Sequence, residues 1–151
     1  MTKHSLLAKK FQIFTICSHD GTQLGIPLFN SVISAGFPSP ASDYIELELD
    51  FNTLLVARPS STFCVRVLGE SMMDAHIHTG DILVVDKSLR AKSGVIVVAI
   101  LNDEFVVKRL EIKGRQYVLV PENPSYKTIE VGANDNFEVW GVVTYVIHKM
   151  L

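Results

Sequence analysis

The chain has 151 residues, enough for one ordinary domain or a domain with an arm, and too few for two full cores. Apolar residues make up 48% and charged residues 20%, which supplies a core and excludes disorder for the bulk of the chain. Lys and Arg number 14 against 16 Asp and Glu, a net charge of -2, so little direct DNA binding is expected.

In chain order, the first 35 residues carry three Lys against one Asp, whereas the remainder carries 11 basic against 15 acidic side chains. Lys9 and Lys10 before the apolar run 11–17 faintly resemble a secretory leader. Gln12 and Thr15 interrupt that run, and Ser18, His19 and Asp20 follow it without a small-residue cleavage site. Residues 1–34 also show too little helical periodicity for a helix-turn-helix module, and they read as an arm. Next comes Ser34-Ala35-Gly36-Phe37-Pro38-Ser39-Pro40, where two prolines remove backbone donors and extend their predecessors, which predicts an exposed linker. The division expected is an arm over 1–35, a linker over 36–44 and a β domain over 45–151.

Asp50 can cap a short helix over 51–57, which Pro59 would end. Beyond it, segments 62–68, 82–86, 95–101, 104–112, 116–120 and 137–148 are rich in Val, Ile and aromatics and are bounded by turn residues. Asn102-Asp103 suits a tight hairpin and Lys113-Gly114-Arg115 a second. Six short strands so closely spaced predict a mostly β fold, an antiparallel β-sandwich or partly open barrel. The longest apolar run, 95–101, has seven residues, well below the roughly 18 that span a bilayer. No membrane span is expected. Cys17 and Cys64 lack metal-site spacing and suit a reducing cytoplasm, so a structural zinc site is not expected; the expectation is of no metal and no cofactor.

Chemistry concentrates in Gly69-Glu70-Ser71-Met72-Met73-Asp74, directly after the strand 62–68. One reading makes Ser71 the N-cap of a short helix, with Asp74 in its first turn. The same geometry exposes a hydroxyl beside free backbone N–H groups, which an oxyanion needs. A serine hydroxyl also requires a base. His76 and His78 have no evident carboxylate orienter, and with Asp74 they lack a further ligand for a metal site. Lys108 is the stronger candidate, since alternation places it with Val106 and Leu110 on a partly apolar face where burial depresses a lysine pKa. Arg109, on the other face with Phe105 and Val107, cannot be a base because guanidinium stays protonated. The alternative for Lys108 is a side chain snorkelling from an edge strand.

These segments together resemble the family of self-cleaving serine proteases that includes the LexA repressor and the UmuD mutagenesis protein. Gly69-Glu70-Ser71-Met72 resembles its nucleophile motif, and Thr79-Gly80-Asp81-Ile82-Leu83-Val84-Val85-Asp86 the strand after it. Phe105-Val106-Val107-Lys108-Arg109-Leu110 is similar to the segment with its general-base lysine, 37 residues beyond Ser71. Val139-Trp140-Gly141-Val142-Val143 resembles its C-terminal strand, and Ala35-Gly36 its scissile bond. Ile26-Pro27-Leu28-Phe29 and the stretch 36–44 point to the UmuD branch. The Ala-Gly bond is that of the repressors, where some UmuD-type proteins have Cys-Gly. The likeness runs from about residue 26 onward.

The resemblance implies a protease-like β domain behind an N-terminal arm that the protein itself removes. Ser71 would be nucleophile, Lys108 general base, and the Ser71 and Met72 backbone the oxyanion site, with cleavage between Ala35 and Gly36. It further implies DNA-damage-induced (SOS) mutagenesis and repair. Cleavage would be stimulated by a RecA filament on single-stranded DNA, and a homodimeric product would serve a UmuC-type translesion polymerase. Other readings of the residues are a non-catalytic β-rich binding module and a repressor relative lacking its DNA-binding domain. A signal-peptidase-like enzyme shares the Ser-Lys logic but calls for a membrane anchor.

Overall fold

The computed structural model describes residues 13–14, 26–29, 35–36 and 45–151. Most of the expected arm lies outside these residues, as do Cys17 and the expected linker apart from Gly36. The chain divides into two units, residues 17–57 and residues 1–16 with 58–151.

In the smaller unit, β2 (Ile26–Phe29) pairs antiparallel with β3 (Ile45–Leu49), and helix α1 (Phe51–Leu55) follows. Pro27 is tolerated in β2 because a two-stranded sheet leaves each strand one edge that needs no N–H donor. Asp50 caps α1 as its position predicts, accepting from the Asn52 N–H at 2.9 Å and the Thr53 hydroxyl at 2.8 Å. The helix stops at Leu55, short of the predicted end at Ala57. Ala35 and Gly36 form an exposed bend. Among the described residues, nothing lies within 4 Å of the position a Gly36 Cβ would take.

The larger unit is built on β1 (Ile13–Phe14), β4 (Thr62–Arg66), β5 (Ile82–Asp86), β6 (Ile96–Leu101), β7 (Glu104–Lys113), β8 (Gln116–Val120), β9 (Ile129–Glu130) and β10 (Phe137–Ile147). They form one antiparallel sheet in the order β1-β4-β5-β10-β6-β7-β8-β9. The fold is mostly β and antiparallel, as predicted. With β1 and β9 as its edges, the sheet does not close into a barrel.

The six predicted strands are all present, with ends shifted by up to two residues. β4 stops at Arg66, and Leu68 beyond it is 88% exposed. β6 is apolar throughout because both its faces are buried. Val98 joins Phe63, Val65, Leu83 and Val85, while Val97 and Ala99 join Leu110, Leu119 and Val142. β7 alternates instead, Phe105 and Val107 packing on the first cluster and Val106 and Leu110 in the second. The two hairpins fall where the turn residues place them. Asn102 and Asp103 adopt φ of 50° and 66° between β6 and β7, and Gly114 adopts 64° between β7 and β8.

β10 joins the two halves of the sheet. Its residues 137–142 pair with β6 and 142–147 with β5, through irregularities at Val139/Gly141 and Val143/Tyr145. At Gly141 a Cβ would stand 2.6 Å from Val85 Cγ1 and 3.1 Å from the Asp86 carbonyl oxygen, so glycine permits this close crossing.

Candidate active site

The link from β4 to β5 carries Ser71. Gly69, at φ 109°, turns the chain out of the sheet. Its N–H donates to Thr79 Oγ1 at 2.9 Å, and the Thr79 hydroxyl donates back to the Gly69 carbonyl at 3.0 Å, bracing the link across its base. Met72 and Ile77, 2% and 1% exposed, anchor the turn in the first cluster.

The helix-cap reading of Ser71 is overturned. The turn holds a single 3-10 turn, Met73–Ala75, with Met72 at its cap and no side-chain capping bond. Because the helix starts this late and Met72 is drawn into the core, Ser71 precedes the cap position. Its hydroxyl instead accepts from Lys108 Nζ at 2.7 Å. Among the described residues, no backbone carbonyl accepts from the Ser71 or the Met72 N–H.

Lys108 lies within β7, opposite Val97 of β6. It is 9% exposed, so the snorkelling alternative is also overturned: the strand is internal and the amine stays inside. Nζ makes a second bond, to the Val107 carbonyl at 2.9 Å. Burial pushes its pKa below the ordinary lysine value of 10.5, because desolvation penalises the ammonium. Among the described residues, no carboxylate forms an ion pair with it to offset that penalty. Ser71 and Lys108 open onto a cleft of about 110 Å³ with walls from Val67, Leu68, Met72 and Phe105.

The histidines stand elsewhere. His76 is an exposed left-handed residue closing the 3-10 turn, at φ 58°. His78 stacks edge-on against His148 with ring centroids 5.5 Å apart, and its N–H donates to Asp81 at 2.8 Å. Arg109 binds Glu122 and donates to the Gly94 carbonyl at 2.6 Å. Among the described residues, no three His, Cys, Asp or Glu side chains converge as a metal site would need.

Reasoning from sequence missed the loop after β8. The Glu122 N–H donates to the Ser71 carbonyl at 2.8 Å, its carbonyl accepts from the Asp74 N–H at 2.8 Å, and Asn123 Nδ2 donates to the Glu70 carbonyl at 2.8 Å. The flanking Pro121 and Pro124 mark a stiff loop, but nothing local reveals what it touches.

The Peptidase S24-like family model matches residues 27–144. The chain belongs to the Peptidase S24-like family. The resemblance to the LexA and UmuD proteins is thereby borne out at the level of the family. Protein SamA of Salmonella typhimurium is 47% identical over 123 residues, 82% of this chain and 85% of SamA. Protein MucA of Escherichia coli is 47% identical over 121 residues, 80% of this chain and 82% of MucA. Protein ImpA of Shigella flexneri is 44% identical over 124 residues, 82% of this chain and 83% of ImpA. The matched stretch contains Ala35, Gly36, Ser71, Lys108 and Glu122. No helix among the described residues is long and apolar enough to cross a membrane.

Proposed function

We propose that this chain is a UmuD-type serine endopeptidase that cuts itself between Ala35 and Gly36 with Ser71 as nucleophile and Lys108 as general base. The observation that carries this reading is the 2.7 Å approach of a desolvated amine to a hydroxyl that serves no helix cap. Neutral Lys108 takes the Ser71 proton as Oγ attacks the Ala35 carbonyl carbon. The Ser71 and Met72 N–H groups hold the resulting oxyanion. Collapse breaks the Ala35-Gly36 bond, and Lys108 returns its proton to the departing Gly36 amine. Water, deprotonated by the same lysine, then hydrolyses the ester to release residues 1–35 as the arm.

The cellular reading follows the UmuD-like motifs, supported by family membership and by the nearly full-length likeness to SamA, MucA and ImpA. On that reading the protein acts in the cytoplasm after DNA damage, and docking on a RecA filament stimulates cleavage. The homodimeric product is an accessory subunit of a UmuC-type translesion polymerase. No cofactor takes part.

The test is the mass and N-terminus of the product formed with and without RecA filaments on single-stranded DNA. A new chain beginning at Gly36, formed faster with filaments and absent from Ser71→Ala, is expected. Processing of Ser71→Ala at the normal rate would end the nucleophile assignment.

A further inference from the structure

Ser71 and Lys108 stand on different elements, so their 2.7 Å approach depends on whatever holds those elements together. Contacts from both sides converge on Glu122. Its backbone grips the Ser71 turn through the two bonds to Ser71 and Asp74, each 2.8 Å. Its carboxylate takes the Nε–H of Arg109, the residue that follows Lys108 on β7. The regular pairing of β7 with β8 ends at Arg109 and Val120, two residues before Glu122. Beyond that point the Arg109–Glu122 contact fastens the loop to the lysine strand.

We propose that Glu122, acting through Arg109, is a positioning residue that sets the separation of the Ser71 hydroxyl and the Lys108 amine. The inference rests on reading those two groups as nucleophile and base. Arg109 suits the task because its planar guanidinium is fixed at two points, by Nε to Glu122 and by Nη1 to the Gly94 carbonyl at 2.6 Å. The Arg109 and Glu122 side chains are 34% and 25% exposed, so water only partly competes for this charge-assisted bond.

The experiment has two readouts. Self-cleavage is followed from neutral to alkaline pH for wild type, Glu122→Gln, Arg109→Lys and the double variant, with thermal unfolding on a Ser71→Ala background. Each single variant should stay folded and lose about tenfold in rate, with the pH midpoint unmoved, and the double variant should lose no more than either single one. Glu122→Asp should recover part of the rate, since it keeps the charge. The second readout does not depend on cleavage: iodoacetamide modification of the Ser71→Cys thiol, located by peptide mass. A lysine held beside a thiol lowers the thiol pKa. Adding Glu122→Gln should therefore shift the modification midpoint to higher pH.

An unmoved thiol midpoint overturns the proposal. So do additive losses, or a cleavage midpoint that falls in Glu122→Gln, which would make the carboxylate an electrostatic partner of Lys108. If Ser71→Ala cleaves as fast as wild type, the nucleophile reading fails while the thiol titration still decides the role of Glu122.

Discussion

The Lys108 amine makes two hydrogen bonds but, among the described residues, no ion pair, so no opposite charge there offsets its burial. Its folded pKa therefore lies below the ordinary 10.5, and desolvation is the cause. A base must be neutral to act, so uninduced self-cleavage should accelerate as pH rises through that lowered value and then level off. Lys108→Ala and Lys108→Arg should be inactive throughout, because one has no amine and the other never loses its proton. Gel-resolved product against pH measures this; an active Lys108→Arg would remove Lys108 as base.

Stability carries the same signature. Between the lowered folded pKa and the ordinary value, the unfolded chain binds more protons than the folded one, so this contribution to stability rises with pH. Below that window the folded protein carries the full cost of a buried ammonium. Replacing Lys108 with Met in a Ser71→Ala background should thus gain most, relative to Ser71→Ala alone, below the folded pKa. The advantage should shrink as pH approaches 10.5. Urea denaturation across that range checks it, and a difference independent of pH would contradict the shift. The lysine was legible from its neighbours Val106 and Leu110. Ser71 was legible as a reactive candidate, but its capping role was misread, because a one-turn 3-10 helix leaves no sequence trace to fix its start.

Among the elements, six strands of the larger sheet were legible because their apolar patterns are local. β9 has two residues, too few for any pattern, and β3 alternates Ile, Glu, Leu, Glu, Leu beside the expected linker. The register of β10 was not legible at all, since it depends on two distant strands. Gly141→Ala should cost about 1–3 kcal/mol, because a methyl there meets Val85 and the fixed Asp86 carbonyl. Urea midpoints of the two proteins measure the cost; an unchanged midpoint would show that the crossing has slack.

At the level of the whole molecule, Ala35 and Gly36 belong to one unit and Ser71 and Lys108 to the other. Gly36→Glu should fold normally, since no described residue lies within 4 Å of a Cβ there, and yet fail as a substrate. Mixed with Ser71→Ala chains, it should cut them while staying uncut itself. Differently tagged chains on one gel separate the two products. Cutting of the Gly36→Glu chain between residues 35 and 36 would move the specificity elsewhere, and no cutting of the partner would confine the reaction to a single chain.

One line of paired residues runs across the larger sheet, from Thr62 through Asp86, Val142 and Val97 to Lys108. Val142 of β10 is its middle member, and β10 follows both Ser71 and Lys108 in the chain. Until β10 is made, the strands flanking Ser71 and the strand carrying Lys108 therefore belong to two half-sheets with no strand between them, and the Glu122 loop is left to bridge them. Self-cleavage, on the reading proposed, reaches its full rate only once β10 has been made and inserted. On that reading the order of synthesis acts as a timer that favours the finished protein.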